Sequence, residues 1–324
     1  MTRPRVIVAC AEGAQPPPLE RLAGAAELVV VRTEDELRAA LPGVEILLLS
    51  DIHSQLLKRV GPADLRWIHT TSIGVDALLT HAIVDSQVLV SNSRGVFERP
   101  MAEWVLGVLL MFAKDMRRTL ELQREARWLH RETQTIAGRR VLLIGPGAVG
   151  QATAPLLRAA GMDVTVVGRR ARNDDPVLGP VHAVAELDRL LPEADAVVLA
   201  LPLTPATRGM FGAERLARMR EGAWLVNVGR GALIDERALI DELESGRVGG
   251  AALDVFEHEP LHTDHPFWMM DNVLVSPHMS ADAVGWREAV VDGFAANLRR
   301  WLQGEPLANV VDLRDHGAPA PAPV

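Results

Sequence analysis

Residues 139–168 read RRVLLIGPGAVGQATAPLLRAAGMDVTVVG, and this stretch decides the fold. An apolar run at 139–144 leads into a glycine turn, after which apolar residues recur at helical spacing over 148–160. A second apolar run, rich in valine, follows at 163–167. A strand, a crossover helix and a second strand form the unit from which parallel sheets are built. The stretch therefore predicts a parallel α/β sheet.

The same alternation of strands and helices extends to both sides of this stretch. Further strands are predicted at 5–9, 28–31, 44–49, 67–69, 88–90, 196–199, 224–228, 250–253 and 273–275. Helices are predicted after the capping box at Thr33 and Glu36 and at 76–79, 213–219, 235–244 and 283–301. Residues 101–112 are apolar on nearly every side, which predicts a buried helix that continues as an amphipathic one. The chain is thus predicted to be an α/β protein with two doubly wound parallel-sheet domains and a break near residue 98.

Composition and charge exclude several classes of protein. The 324 residues carry a net charge of −8, whereas nucleic-acid binding needs a basic surface. Cys10 is the one cysteine, which excludes an intrachain disulfide and a cysteine metal cluster, and we expect no metal site. Residues 1–10 lack the apolar core of a signal peptide, and the apolar run 104–112 falls short of the roughly 20 residues of a membrane span. We therefore expect a cytoplasmic protein with no nucleic-acid or membrane partner.

The turn GPGAVG at residues 145–150 has the spacing of a dinucleotide-binding loop. Gly145 allows the tight turn, Gly147 lets the backbone approach a pyrophosphate, and Gly150 lets helix and strand pack closely. The helix that follows offers free N–H groups and the positive end of its dipole to an anion. Glycine spacing alone is equally typical of an ordinary tight turn, so the prediction depends on the strands on either side.

The residues after the second strand select the cofactor. An NAD site carries a carboxylate there, which accepts hydrogen bonds from the ribose hydroxyls. This sequence has Gly168 followed by Arg169 and Arg170. Guanidinium groups bind a 2′-phosphate bidentately, although two arginines after a strand can also be solvated loop charges. We predict NADP as the cofactor, with NAD possible.

Three strand ends carry polar side chains suited to reducing a keto acid. Such a reaction needs groups that bind the carboxylate, polarise the carbonyl and deliver a proton beside the hydride donor. Arg230 follows a strand between two glycines, where open α/β sheets place ligand contacts; a structural ion pair is the alternative. His278 follows another strand, and a carboxylate from residues 253–260 beside it would orient the ring and favour its protonated form. Such a pair can donate a proton and recover it.

The chain resembles the D-isomer-specific 2-hydroxyacid dehydrogenases, and among them the glyoxylate/hydroxypyruvate reductases, over essentially its whole length. In chain order, the motifs that carry the resemblance are SIGVD at 72–76, AE at 102–103, GPGAVG at 145–150, LPLTPAT at 201–207, NVGRG at 227–231, DE at 235–236, ALDVFEHEP at 252–260 and PH at 277–278. The resemblance implies that Arg230 binds and polarises the substrate, and that His278 is the acid/base. It points to Glu259, directly before Pro260, as the partner of the histidine, rather than to Glu257.

The resemblance also implies binding residues. Backbone N–H groups around Ile73 and Gly74 would bind the substrate carboxylate, for which a plain glycine turn is the competing interpretation. Asp254 would contact the nicotinamide carboxamide, with a strand-end cap as the alternative. The other cofactor-binding residues that it implies are Gly145, Gly147, Ala148, Val149, Gly150, Arg169, Arg170, Leu201, Pro202, Thr207, Val228 and Gly229.

The resemblance implies a discontinuous domain arrangement, which periodicity does not reveal. A Rossmann domain at 99–284 would bind NADP, and a flavodoxin-like domain of 1–98 with 285–324 would bind the substrate. It further implies a homodimer through the region of the 101–112 helix. Residues 279–282, MSAD, depart from the small residues and threonine of the family, which leaves the size of the substrate open. His53 could face the substrate, although a surface loop is favoured, and residues 317–324 are expected to be extended.

The function so implied is hydride transfer between NADP(H) and a small 2-keto or 2-hydroxy acid such as glyoxylate or hydroxypyruvate. A dinucleotide-sensing scaffold or corepressor on the same fold is the alternative, because fold does not dictate function. A formate dehydrogenase would have glutamine in place of Glu259. Phosphoglycerate oxidation is disfavoured because no basic cluster for a phosphate marks the first domain.

Overall fold

The computed structural model describes residues 3–50 and 56–313, so His53 and residues 317–324 lie outside the described residues. The chain divides into two compact units, the first comprising Met1–Phe97 and Ala283–Val324 and the second comprising Glu98–Asp282. Both units are built on parallel sheets with helices, which confirms the predicted α/β class.

Unit 1 contains a five-stranded parallel sheet in the order β2-β1-β3-β4-β5. Its strands are β1 (Arg5–Ala9), β2 (Glu27–Val31), β3 (Ile46–Leu49), β4 (Trp67–Thr70) and β5 (Leu89–Ser91). Its helices are α1 (Glu34–Ala40), α2 (Leu56–Val60), α3 (His81–Val84) and α10 (Trp286–Gln303). This strand order is that of flavodoxin-like doubly wound sheets. The predicted capping box of Thr33 and Glu36 opens α1.

Helix α10 packs on one face of the unit 1 sheet. The ring of Trp67 stacks on Phe294 at 5.1 Å and on Trp301 at 5.7 Å between centroids. Arg21 adds a two-pronged ion pair to Asp292, with N–O distances of 2.8 and 2.6 Å. The aromatic stack explains how a C-terminal helix joins the core of an N-terminal sheet, because burying large rings dominates core energetics.

Unit 2 contains an eight-stranded sheet in the order β13-β12-β11-β10-β6-β7-β9-β8, parallel except for β8. Its strands are β6 (Arg140–Ile144), β7 (Asp163–Gly168), β8 (Arg172–Asp175), β9 (Gly179–Ala183), β10 (Ala196–Leu199), β11 (Ala223–Asn227), β12 (Val248–Leu253) and β13 (Val273–Val275). Its helices are α4 (Glu98–Ala113), α5 (Met116–Arg124), α6 (Ala148–Ala159), α7 (Leu187–Leu190), α8 (Ala213–Arg218) and α9 (Glu236–Glu244). From β9 to β12 the order is that of dinucleotide-binding Rossmann sheets, in which ligands lie where the direction of strand succession reverses. Here that point lies between β6 and β10.

One strand pair of unit 2 was not predicted, and the prediction for helix α4 was wrong in its burial and in its continuation. The hairpin of β8 and β9 was not predicted, because RNDD carries no apolar alternation and pairs only at the sheet edge. Helix α4 is buried along one face only; on the other, Glu103 and Gly107 are exposed and Leu110 and Met111 are half-exposed. It also does not continue smoothly towards Trp128, because Asp115 adopts a left-handed φ of 48° between α4 and α5.

Within residues 3–50 and 56–313, no helix has both the length and the apolar character needed to cross a membrane. The same residues contain no cluster of three or more histidine, cysteine, aspartate or glutamate side chains arranged to hold a metal ion.

Candidate active site

Three loops at the carboxyl edge of the unit 2 sheet contact one another through glycines. At Gly145, where φ is +120°, a Cβ atom would overlap the Ala200 carbonyl in the loop after β10. At Gly229, after β11, a Cβ would come within 2.7 Å of the Leu201 oxygen. Only glycine allows so close an approach of backbones. The loops after β6, β10 and β11 are thereby held together at the point where strand succession reverses.

The glycine turn opens helix α6 as predicted. A Cβ at Gly150 would overlap the Gly145 carbonyl, so the third glycine permits the helix to start directly against the turn. Gly147 is the exposed N-cap, with no described atom within 4 Å of its Cβ position. Ala148 and Val149 form the half-buried first turn of the helix. The N–H groups of this turn form an accessible site suited to an anion.

The end of β7 excludes a side chain at its last residue. A Cβ at Gly168 would come within 2.7 Å of the Pro146 ring and 3.1 Å of the Val181 side chain. Arg169 and Arg170 follow as exposed residues. Sequence reasoning missed Arg172, whose Nη2 lies 2.7 Å from Asp175 and 3.4 Å from the Pro146 carbonyl oxygen. The sequence did contain a signal for Arg172, since it is a third arginine only two residues after Arg170.

The loop after β10 is shaped by its own threonines. The hydroxyl of Thr207 donates to the Pro202 carbonyl at 2.8 Å and accepts from the Thr204 N–H at 2.8 Å. Leu201 is half-buried beneath Gly229, while Pro202 is exposed. The predicted role of Thr207 in binding the cofactor therefore stands beside a clear structural role in the loop.

Arg230 is held at the end of β11 by a buried asparagine. The side chain of Asn227 donates to the Arg230 carbonyl at 2.9 Å and accepts from the Gly229 N–H at 3.0 Å, which closes the turn around buried Val228. The Arg230 guanidinium donates to the Gly229 carbonyl at 2.7 Å. Asn227 is thus a positioning residue that sequence reasoning quoted only as part of a motif.

His278 and Glu259 form the predicted imidazole–carboxylate pair. His278 Nδ1 lies 2.8 Å from Glu259 Oε2, and the other carboxylate oxygen accepts from the Phe256 N–H at 2.9 Å. Both side chains are half-buried. A carboxylate on Nδ1 fixes the ring and leaves Nε2 as the nitrogen for proton exchange. Glu257, the rival carboxylate, is exposed.

The turn that carries His278 is held by Asp254. This buried carboxylate accepts from the Ser276 hydroxyl at 2.6 Å, from the Met279 N–H at 2.8 Å and from the Ser280 N–H at 3.0 and 3.1 Å. His278, at the apex, has a φ of +54°. Such a left-handed conformation costs about 1–3 kcal/mol for a non-glycine residue and persists only when its surroundings enforce it. Asp254 therefore positions the histidine, whatever else it contacts.

In unit 1, the candidate substrate-binding residues Ile73 and Gly74 lie in the turn after β4, and the carbonyl of each accepts a hydrogen bond. The Ile73 carbonyl accepts from the Asn92 amide at 2.8 Å, and the Gly74 carbonyl accepts from the Ser72 hydroxyl at 2.6 Å. Among the described residues, the N–H groups of Ile73 and Gly74 have no hydrogen-bond acceptor. Adjacent backbone N–H groups of this kind can bind an anion.

A buried histidine, His69, contacts two serine hydroxyls near the same turn. His69 Nδ1 lies 2.8 Å from the Ser91 hydroxyl and Nε2 lies 3.3 Å from the Ser93 hydroxyl, which also donates to the Thr70 carbonyl. Burial lowers the pKa of His69 from 6.5 to about 4. The ring is therefore neutral in the folded protein at neutral pH.

We expect unit 1 to lose stability as the pH falls from 6.5 towards 4. Over this range the unfolded chain binds a proton at His69 and the folded chain does not, so the loss approaches about 3 kcal/mol. Urea unfolding at several pH values tests this against His69→Gln, which has no group to titrate there. Equal pH slopes in the two proteins would contradict the expectation.

Comparison with known proteins identifies the family. Residues 106–280, just over half of the chain, match the family model described as the NAD binding domain of D-isomer specific 2-hydroxyacid dehydrogenases. Glyoxylate/hydroxypyruvate reductase B of Salmonella paratyphi A is 32% identical over 267 residues, which cover 81% of this chain and 82% of that protein.

Solved structures of similar proteins belong to the same family. A D-isomer specific 2-hydroxyacid dehydrogenase of Xanthobacter autotrophicus Py2, in complex with NADPH and MES, is 33% identical with a TM-score of 0.79, covering 96% of this chain and 99% of that one. An NADPH-dependent glyoxylate/hydroxypyruvate reductase of Sinorhizobium meliloti, in complex with NADP and sulfate, is 29% identical with a TM-score of 0.79, covering 97% and 99%. The chain binds a nicotinamide dinucleotide and is a hydride-transfer oxidoreductase. It belongs to the family of D-isomer-specific 2-hydroxyacid dehydrogenases.

Proposed function

We propose that the protein reduces a small 2-keto acid, such as glyoxylate or hydroxypyruvate, with NADPH, and oxidises the corresponding 2-hydroxy acid in reverse. The observation that carries the proposal is the pair of His278 and Glu259, 2.8 Å apart, on the same sheet edge as the open glycine turn. An acid/base of this kind serves carbonyl reduction, since a proton must reach the oxygen as a hydride reaches the carbon.

His278 is the proposed proton donor. When bound, the reduced nicotinamide supplies the hydride that the carbonyl carbon accepts. Nε2 of protonated His278 gives its proton to the carbonyl oxygen, and the neutral imidazole takes the proton back in the oxidative direction. The carboxylate of Glu259 stabilises the protonated ring and keeps Nδ1 occupied.

Arg230 is the proposed group that binds and polarises the keto acid. A guanidinium has donors in a rigid fork that can hold a carboxylate oxygen and the carbonyl oxygen together. Its fixed attachment beside Asn227 supports this role, because a preorganised charge needs little reorganisation during reaction. In unit 1, we propose that the N–H groups of Ile73 and Gly74 bind a carboxylate.

We assign the cofactor to residues 99–284 and the substrate-binding domain to residues 1–98 with 285–324. The proposed cofactor residues follow five strands of the sheet: Gly145, Gly147, Ala148, Val149 and Gly150 in the glycine turn, Arg169 and Arg170, Leu201, Pro202 and Thr207 in the loop after β10, Val228 and Gly229 after β11, and Asp254 as a contact of the carboxamide. They follow strands β6, β7, β10, β11 and β12, which are neighbours in the sheet. Their common edge is the usual dinucleotide position in such folds.

The preference for NADPH rests on charge and space at the end of β7. Gly168 leaves no room for a carboxylate there, and Arg169, Arg170 and Arg172 follow within four residues. Arg172 reaches the Pro146 carbonyl of the glycine turn, so one guanidinium already lies beside the loop that would bind phosphate. The relatives solved with NADPH or NADP support the same choice for this chain.

The test is a comparison of initial rates for glyoxylate, hydroxypyruvate, phenylpyruvate and 3-phosphohydroxypyruvate with NADPH and with NADH. We expect kcat/KM to be at least about tenfold higher with NADPH, since one charge-assisted hydrogen bond contributes about 1.5–3 kcal/mol. Arg170→Gln and Arg172→Gln should raise the KM for NADPH and leave that for NADH unchanged. Arg189→Gln, on α7 and paired with Glu186, is the matched control.

A preference for NADH would overturn the assignment of the cofactor. Turnover of only the phosphorylated acid would overturn the assignment of the substrate. Absence of turnover with every acid, despite binding of NADPH, would favour a dinucleotide-sensing scaffold or corepressor instead.

We also propose that a second copy of the chain covers the half-exposed face of α4. Leu110 and Met111 lie on that face, and Leu120 of α5 and Trp128 are exposed nearby in sequence. Apolar surface of this kind marks an interaction site. A molecular mass in solution equal to one chain would contradict a homodimer.

A further inference from the structure

Two consecutive backbone N–H groups in the loop after β12 are bound by two different carboxylates. The Phe256 N–H donates to Oε1 of Glu259 at 2.9 Å. The Glu257 N–H donates to Oε1 of Glu236 at 2.8 Å. Glu259 is the residue that pairs with His278, whereas Glu236 lies in the first turn of α9. The partner of the histidine and a residue outside the proposed reaction therefore bind neighbouring peptides of one segment.

The peptide between Phe256 and Glu257 is also fixed on its other side. A Cβ at Gly231 would overlap the Phe256 carbonyl and come within 2.3 Å of the Glu257 nitrogen, so this peptide lies directly on the glycine. The Phe256 ring is buried in the core of unit 2. Because its ring and the following peptide are both held, Phe256 presents its own N–H to Glu259 in a fixed direction. A shift of this peptide would change where the Glu259 carboxylate is held.

Glu236 also contacts the far end of the same segment. Its Oε2 lies 3.4 Å from Nε2 of His265, and Nδ1 of that ring accepts from the Phe267 N–H at 3.3 Å. Because Nδ1 is an acceptor, the neutral ring carries its proton on Nε2, which faces the carboxylate. The side chains of Glu236 and His265 are only 16% and 20% exposed. One carboxylate thus contacts residues 257 and 265, and Glu259 lies between them in the chain.

We propose that Glu236 is a positioning residue for proton transfer, which holds segment 256–265 so that the carboxylate of Glu259 stays on Nδ1 of His278. This inference rests on the proposed function, in which that histidine is the acid/base. The contacts run from Glu236 through the peptide of residues 256 and 257 to Glu259, and from there to the imidazole. A misplacement of about 1 Å can cost a reaction about 10²-fold, so a small shift along this path slows the chemical step.

Two substitutions separate the position of the Glu236 oxygens from their charge. Glu236→Gln keeps an acceptor at the same distance from the Glu257 N–H, whereas Glu236→Asp keeps the charge but is one methylene shorter. We expect the single-turnover rate of NADPH oxidation by glyoxylate to stay within about threefold of the wild type in Glu236→Gln and to fall about tenfold in Glu236→Asp. A role confined to the charge at the start of α9 gives the opposite order, because aspartate serves a helix N-terminus as well as glutamate.

A double variant tests whether Glu236 acts through Glu259. Glu259→Gln alone should lower the single-turnover rate about 10²-fold, because the imidazolium loses the charge beside it. Adding Glu236→Asp should change that rate less than about twofold, since residue 259 no longer carries a carboxylate to be placed. Glu244→Asp, at the exposed last residue of α9, is the matched control and should react like the wild type.

The inference is overturned if Glu236→Asp reacts like the wild type, if it reacts faster than Glu236→Gln, or if the losses of Glu236→Asp and Glu259→Gln multiply in the double variant. A Glu259→Gln variant with the wild-type rate would overturn the proposed pair of Glu259 and His278, and the inference with it. A slow Glu259→Gln beside an unaffected Glu236→Asp would overturn the inference alone.

Discussion

Replacing His278 with glutamine is expected to lower kcat/KM for glyoxylate about 10³-fold while leaving the Kd for NADPH within about twofold of the wild type. General acid–base catalysis by a positioned side chain contributes about 10²–10⁴-fold, and glutamine cannot exchange a proton at neutral pH. Steady-state rates, with fluorescence titration of the cofactor, measure both quantities. The loss should fall mainly on kcat, since the proton moves in the chemical step.

His258→Gln is the matched control for this substitution. His258 lies in the same segment as Glu259 but is exposed, and we expect less than a twofold change in kcat/KM. Equal losses from the two substitutions would show that His278 acts only through the fold of this region. A His278 variant with more than about a tenth of wild-type activity would end the assignment of the proton donor.

Replacing Arg230 with lysine is expected to lower kcat/KM about 10²- to 10³-fold, with changes in both kcat and KM. Lysine keeps the charge but loses the planar fork that can hold two oxygens at once, so the exchange is not conservative at a bidentate site. The polarising contribution resembles that of an oxyanion-hole donor, whose removal costs about 10²–10³ in kcat. Arg237→Lys, on the exposed face of α9, serves as the control.

Chemical rescue distinguishes a catalytic role of Arg230 from a structural one. In Arg230→Ala, added guanidinium chloride at low millimolar concentration should restore part of kcat, and sodium chloride at the same ionic strength should not. An Arg230→Lys variant within threefold of the wild type would count against substrate binding by this residue.

The sequence predicted the sheets better than their edges. Strand β10 and residues 141–144 of β6 are buried on both faces and consist of consecutive apolar residues, so hydropathy alone identifies them. The hairpin of β8 and β9 carries no such pattern. Arg158 holds it by donating to the Leu178 carbonyl, and Asp175 accepts from the Leu178 N–H. Contacts between a helix and a distant loop leave no local periodic signal.

The residue types of the site were predictable, but of the contacts among them only one was predicted. The pairing of His278 with Glu259 was predicted from the family motif alone. No local pattern could indicate it, because the two residues are 19 positions apart on loops that follow different strands. The clamp of Asp254 on the turn of His278 was not predicted, since a carboxylate after a strand has several possible partners. The Ser280 hydroxyl has no hydrogen-bond partner within residues 3–50 and 56–313, and the sequence could not predict this, because a missing hydrogen bond is visible only once the neighbouring atoms are located.

The strand order of the eight-stranded sheet places the residues proposed to select the cofactor and those proposed to transfer the proton at opposite edges. The β8–β9 hairpin, with Arg172, lies at one end of the sheet, and β13, which precedes His278, lies at the other. Segment 169–178 can therefore be exchanged for that of another relative without touching the residues that brace the imidazole. The proposed choice of cofactor and the proposed transfer of a proton thus depend on opposite edges of one sheet, and we expect exchange of the first segment to alter the KM for NADPH while leaving the pH dependence of kcat unchanged.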